Sequence, residues 1–247
     1  MIKAFRRPLS VTIFTGRLSL EKRSLFLCIG SLISLWVCLT STPSFSQTLD
    51  LNTLIDKVQQ TYEHTSALTA DFIQVATLTS LNRQQTSAGH VYIEKPHAIR
   101  WEYTQPDAQT ILYDGTTLRV YTPKRHQLLQ SMVDENNRTN VALLFLAGIG
   151  KLRDTFEVTP LASSDAQLAY LVLVPRSHQA GFSELHIAVN TQSFFVEKLL
   201  IHDSIGNLTE IRLSSLKVHP RLPAKTFELV LPSDTEILTP TDFTGPK

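Results

Sequence analysis

The chain has 247 residues, 43% of them hydrophobic and 18% charged, a formal net charge of +1 and two cysteines. Length alone allows one domain with a sizeable core beyond any targeting segment. Repeats, low-complexity tracts and interdomain linkers are not seen in the sequence.

The first 24 residues carry Lys3, Arg6, Arg7, Arg17, Lys22 and Arg23 against the single acid Glu21, and the apolar run 25–39, LFLCIGSLISLWVCL, follows. That run is short of the roughly 20 residues a spanning helix needs. It leads into STPSFSQ, whose Ser44 and Ser46 satisfy a small-residue cleavage rule. Residues 1–46 are therefore expected to be a cleavable secretory signal and 47–247 the exported domain; the rival is an uncleaved anchor, given the long basic lead. Neither Cys28 nor Cys38 follows a small residue, which argues against lipid attachment. Cleavage would remove both, leaving a fold without disulfides in an oxidising compartment. It would also remove five net positive charges, bringing the remainder near −4, a poor balance for nucleic acid.

In chain order, TLDLNTLIDKVQQTYEHTSALT predicts an amphipathic helix with Asp50 as N-cap and Leu51, Leu54, Ile55, Val58 and Tyr62 on one face. Strands are predicted at 70–78, 90–94, 99–103, 110–113, 117–122, 127–131, 156–159, 170–175, 184–189, 194–201, 208–217 and 227–231. Lys95-Pro96, Gln105-Pro106 and Thr122-Pro123 punctuate them, and Asp114-Gly115 predicts a tight hairpin turn with positive φ. Segments of this length and spacing describe an antiparallel sheet large enough to curl toward a barrel or pack as a sandwich. Within IRWEY, Arg100 and Glu102 favour Ile99, Trp101 and Tyr103 inside, whereas Tyr92 competes with Val91 and Ile93 for the same face. One stretch, NRTNVALLFLAGIGKL, reads as a helix apolar around most of its circumference, either a plug for the barrel end or a lid over an apolar cavity. The tail LTPTDFTGPK reads as loose.

The motifs ADFIQ, GHVYIEKPHAIRWEYTQPDAQTILYDGTTLRVYTPKRHQ, TNVALLF and LPAKTFELVLPSDTEI resemble, in order and spacing, the periplasmic outer-membrane lipoprotein carriers, the LolA family, over 49–238. The most specific part is the series Lys-Pro, Arg-Trp, Gln-Pro, Asp-Gly, Tyr-x-Pro in 95–123. The resemblance implies a mainly β protein with helices: an incomplete antiparallel β-barrel, or half-barrel, covered by a helical lid. It implies an acyl-chain cavity walled by Phe72, Val91, Ile93, Ile99, Trp101, Tyr103, Leu112, Leu118 and Val120, under a lid of Val141, Ala142, Leu143, Leu144 and Phe145. It also implies a basic residue before the proline, here Lys95, holding backbone carbonyls of the lid; lysine keeps the charge of arginine but not its planar fork. Relatives begin the lid with Thr-Pro where this chain has Thr139-Asn140, and often carry tryptophan where it has Arg119, which reads as an outward strand position.

The expected partners follow from the resemblance: acylated lipoproteins, an inner-membrane ABC-type lipoprotein-releasing complex, and an outer-membrane receptor or the outer membrane itself, with the protein acting as a periplasmic monomer. No cofactor, metal or catalysed reaction is implied. The eight histidines form no His-Glu-x-x-His helix, and neither a Gly-x-Ser-x-Gly elbow nor a phosphate loop occurs. His90 and His97, and His178 and His186, are spaced too loosely for a metal site, so each histidine is read as exposed or hydrogen-bonded. The alternatives are a lipid or lipoprotein sensor domain, a carrier of free glycolipid, and, for want of a nucleophile motif, least of all a lipid hydrolase.

Overall fold

The structure is a computed structural model that describes residues 50–132, 152–176 and 182–239. The expected signal segment, the lid residues 141–145 and the end of the tail lie outside these.

Helix α1, Leu51–His64, forms where the 3.6-residue spacing places it, and its N-cap Asp50 accepts from Thr53 N. Leu54, Ile55, Val58 and Tyr62 are its buried stripe. Twelve strands follow: β1 Ala67–Leu78, β2 Arg83–Glu94, β3 Ala98–Gln105, β4 Gln109–Tyr113, β5 Thr117–Thr122, β6 Gln127–Met132, β7 Phe156–Leu161, β8 Leu168–Pro175, β9 Phe182–Asn190, β10 Val196–Asp203, β11 Leu208–His219 and β12 Glu236–Leu238. They make one open curled sheet in the order β12-β6-β5-β4-β3-β2-β1-β11-β10-β9-β8-β7. Every pairing is antiparallel except β12 on β6. Among the described residues β7 and β12 are edges. Pro160 is tolerated in β7 because an edge strand need not donate on its free side, and β12 is only three residues long.

The β4–β5 turn is built as its sequence demands. Asp114 Oδ1 accepts from Thr116 N and Thr117 N at 3.1 and 2.8 Å, and Gly115 takes φ +102°, where a Cβ would also meet His97. Partial burial raises the Asp114 carboxyl, but these donors and Arg119 outweigh it and hold the group below its usual range.

The predicted strand at 227–231 does not form. Its first residue closes a 3-10 turn, Ala224–Phe227, and Val230 is 89% exposed. Instead this stretch straps the sheet's outer face: Leu222 N donates to Glu94 Oε2, and Arg100 Nη1 donates to the carbonyls of Thr226 and Glu228 at 3.4 and 3.1 Å. The chain then delivers β12 beside β6. Proline at 220, 223 and 232 denies the segment the regular donors a ladder requires.

Candidate functional site

The face against α1 is set by register. Ile93 pairs with Ile99, Val91 with Trp101 and Trp101 with Ile111, while Tyr92 faces Arg100 on the other side. The ambiguity between Val91/Ile93 and Tyr92 is thus resolved: Val91, Ile93, Ile99 and Trp101, each no more than 4% exposed, point inward with Ile111 and Phe72. Tyr103, Leu118 and Val120 pack against this cluster half-buried.

Leu112 departs from the expectation. It is buried, but register puts it between Arg100 and Arg119 on the outer face, outside the inner cluster. Thr110, Ile111 and Leu112 are all buried, so alternation in β4 gives no sign of facing. Register puts Tyr121 and Leu128, both also buried, on the same outer side as Leu112. Arg119 also faces outward, and its Nη1 donates to Asp114 Oδ2 at 2.9 Å.

Within the inner face, Phe72, Gly89 and Tyr103 are direct neighbours on β1, β2 and β3. Lacking a side chain, Gly89 lets the flanking rings meet above it: Phe72 and Tyr103 stand edge to face at 5.1 Å, and Phe72 lies 4.4 Å from Trp101. Burial pushes the Tyr103 phenol up, tempered by Trp101 and Gln74. The Trp101 Nε1–H is close enough for that influence, yet it has no acceptor in good hydrogen-bonding geometry among the described residues.

Tyr103 OH donates to Gln74 Oε1 at 2.9 Å, and there the inner face changes character. Beyond it a cleft of about 630 Å³ is lined by Gln74, Ser87, Tyr103, Gln109, Thr122 and Arg125 among others. The wall therefore grades from aliphatic and aromatic to polar along the strands. Sequence reasoning did not single out Gln74, Ser87, Gln109 or Thr122. Their signal was polar residues at the same alternate positions as the apolar ones, extending each strand past its greasy part.

Helix α1 is tied down at its C-terminal end. Lys95 Nζ donates to the carbonyl of Tyr62, while Lys95 N donates to Ser66 O at 2.9 Å. The cation so placed also favours the negative end of the helix. Burial lowers the ammonium from the usual lysine value, with Glu63 acting the other way. Tyr62 OH accepts from Val196 N at 3.1 Å, and burial drives its phenol far upward, only partly offset by that amide. Arg153 Nη2 reaches Asp56 Oδ1 at 2.6 Å on the same helix. The expected tie from Lys95 to 141–144 involves residues outside those described.

A curled open sheet, a helix laid over its apolar face and a polar cleft at one end define a helix-covered half-barrel with an amphipathic interior. The family model described as "Outer membrane lipoprotein carrier protein LolA" matches residues 63–230, and the chain belongs to that family. It is 29% identical over 184 residues to the outer-membrane lipoprotein carrier protein of Methylobacillus flagellatus, covering 74% of this chain and 88% of the relative. It is 30% identical over 183 residues to that of Bordetella avium, covering 74% and 86%. Among solved structures it is similar to a LolA superfamily protein from Nitrosomonas europaea, at 13% identity and a TM-score of 0.45, covering 72% of this chain and 97% of that one.

Proposed function

We propose that this protein is a periplasmic carrier that takes the acyl chains of lipoproteins into its half-barrel and shuttles them from the inner to the outer membrane. The observation that carries the reading is the graded inner wall: Phe72, Trp101 and Tyr103 form an apolar shelf that opens directly onto the polar cleft. Such a wall suits an amphiphile, with acyl chains against the aromatic shelf and the polar glyceryl and peptide portion at Gln74, Gln109 and Thr122. Each methylene removed from water contributes about 0.8 kcal/mol, so burying ten carbons favours binding by roughly 8 kcal/mol. A carrier must also release, and the Lys95 ammonium is a tie that a small movement of α1 breaks.

The finer assignments are part of the same proposal. The 1–46 segment exports the chain to the periplasm and is removed; residues 141–145 close over the shelf; an ABC-type releasing complex loads the cargo; an outer-membrane receptor or the membrane itself accepts it. The supporting test is native mass spectrometry of protein purified from the periplasm, with organic extraction of what it carries. The expected result is a co-purifying acylated lipoprotein, lost in a folded Trp101→Asp variant and retained in Arg119→Ala. Recovery of free glycolipid alone would change the cargo, and an empty protein that accepts no lipoprotein from inner-membrane vesicles would refute the carrier reading.

A further inference from the structure

On strands β9 and β10 the residues alternate sharply. Leu185 and Ile187 enter the core at 0% and 1% exposure, which turns Glu184 and His186 to the outer face. His202 on β10 lies directly opposite Glu184 in the register, and Leu200 opposite His186. Residues i and i+2 on one strand and a directly opposed residue on the next form a compact triangle of side chains. Here that triangle brings together two imidazoles and a carboxylate. His186 Nε2 lies 3.0 Å and His202 Nδ1 3.6 Å from Glu184 Oε1, and one ligand atom from each residue falls within 4.8 Å of the others. The two rings stack loosely at 4.8 Å.

A tetrahedral zinc ion with bonds near 2.0–2.2 Å spaces its ligand atoms by roughly 3.3 Å. The two observed separations from Glu184 bracket that value, so small side-chain adjustments suffice. The side chains of Glu184, His186 and His202 are 36%, 25% and 29% exposed. His202 supplies a second, separate observation. Its Nδ1 is beyond hydrogen-bonding distance of Glu184, and its Nε2 is buried with no hydrogen-bond partner among the described residues. A half-buried imidazole without a hydrogen bond is held at a cost unless something else meets it. The residues opposite the cluster are aliphatic, Val172 on β8, Leu200 on β10 and Leu208 on β11, and the next cation along β10, Lys198, is occupied by Glu210 at 2.8 Å.

We propose that Glu184, His186 and His202 form a binding site for a divalent cation of Zn²⁺ type on the outer face of the sheet. Two imidazoles and one carboxylate suit Zn²⁺ or Co²⁺ rather than Ca²⁺ or Mg²⁺, which take oxygen sets. Three protein ligands leave a coordination position for water. The cation takes His202 through Nδ1, the nitrogen 3.6 Å from Glu184 Oε1, and clips β9 to β10 across their pairing. Because the site faces away from the apolar interior, it stands independently of the carrier reading.

The test is calorimetric titration of Zn²⁺ into chelator-stripped full-length protein, with Co²⁺ absorption as the spectroscopic probe and thermal unfolding with and without Zn²⁺. The expected result is saturable one-to-one binding, a visible Co²⁺ ligand-field spectrum of low coordination number, and a rise in Tm; all three are lost in His186→Gln/His202→Gln, and all persist in His90→Gln. Far-UV circular dichroism establishes that the double variant is folded, and if it is not, the milder Glu184→Gln is read in its place. Absence of a saturable site, or a Zn²⁺ isotherm and Co²⁺ spectrum unchanged in the folded variant, overturns the proposal.

Discussion

Gly89→Ala addresses the aromatic shelf through the backbone beneath it. The added Cβ would fall 1.8 Å from the Glu102 carbonyl oxygen, 2.8 Å from its carbon and 2.9 Å from Tyr103 Cα, all backbone atoms that no rotamer change can move. Real contacts of a Cβ essentially never come under 3.0 Å, so β2 and β3 must part locally by roughly 1 Å, and a ladder bond stretched that far is no longer one. The site already carries a register irregularity between Ala88 and Gly89, which limits how far the strain can spread. Losing two bonds at about 1 kcal/mol each and leaving a buried backbone group unpaired at about 1–3 kcal/mol gives a cost of roughly 3–5 kcal/mol. Relief of glycine's unfolded-state freedom returns about 0.5–1 kcal/mol, leaving a net loss near 3. At about 2–4 °C per kcal/mol for a domain of this size, Tm should fall by about 6–12 °C. Urea unfolding followed by Trp101 fluorescence measures the loss, and fluorescent fatty-acid binding should weaken as the Phe72–Tyr103 contact opens. A loss below about 1 kcal/mol would mean that the strands yield freely there, and the reasoning from the close approach would fail.

Tyr62→Phe leaves the buried Val196 amide without its acceptor and should cost about 1–2 kcal/mol at pH 7. The folded phenol's pKa is raised above its unfolded value, so its contribution is complete below about pH 10 and is lost as pH climbs beyond; the variant should therefore show a flatter alkaline decline in urea stability between neutral pH and pH 11. Lys95→Met removes the tie to the Tyr62 carbonyl; as the ammonium is partly exposed, global stability should change by under about 1 kcal/mol, while amide exchange in the last turn of α1 quickens. Unchanged exchange there would remove Lys95 from the control of this helix. Arg100→Met frees the Thr226 and Glu228 carbonyls, so proteolysis within 220–235 should accelerate with acyl-chain binding unaltered, and parallel loss of binding would show that the strap and the inner face are coupled.

The sequence by itself determined the elements whose signals are local. The spacing of Leu54, Ile55, Val58 and Tyr62 made α1, Asp50 capped it, Asp114-Gly115 turned the β4–β5 hairpin, and alternation placed most of the strands. It also carried the family, through five short motifs in register. What it left open were matters of facing and of distant company. Period two says that a strand has two faces, but not which is inner: Val91 and Ile93 won over Tyr92 only because β1 and β3 align them with Ala70, Trp101 and Ile99. Leu112 read as cavity wall because an apolar side chain looks the same on either face of a strand, and only its pairing with Arg100 and Arg119 places it outward. The 227–231 segment had a strand's composition, but prolines at 220, 223 and 232 flank it and Arg100 takes the Glu228 carbonyl instead of a neighbouring strand. Histidines 186 and 202 looked unrelated at sixteen residues' separation, yet antiparallel pairing of β9 with β10 brings both to Glu184. Local propensity is written in neighbouring residues, whereas facing, coverage and the meeting of distant side chains depend on which strands pair and in what register, and only the tertiary structure decides that.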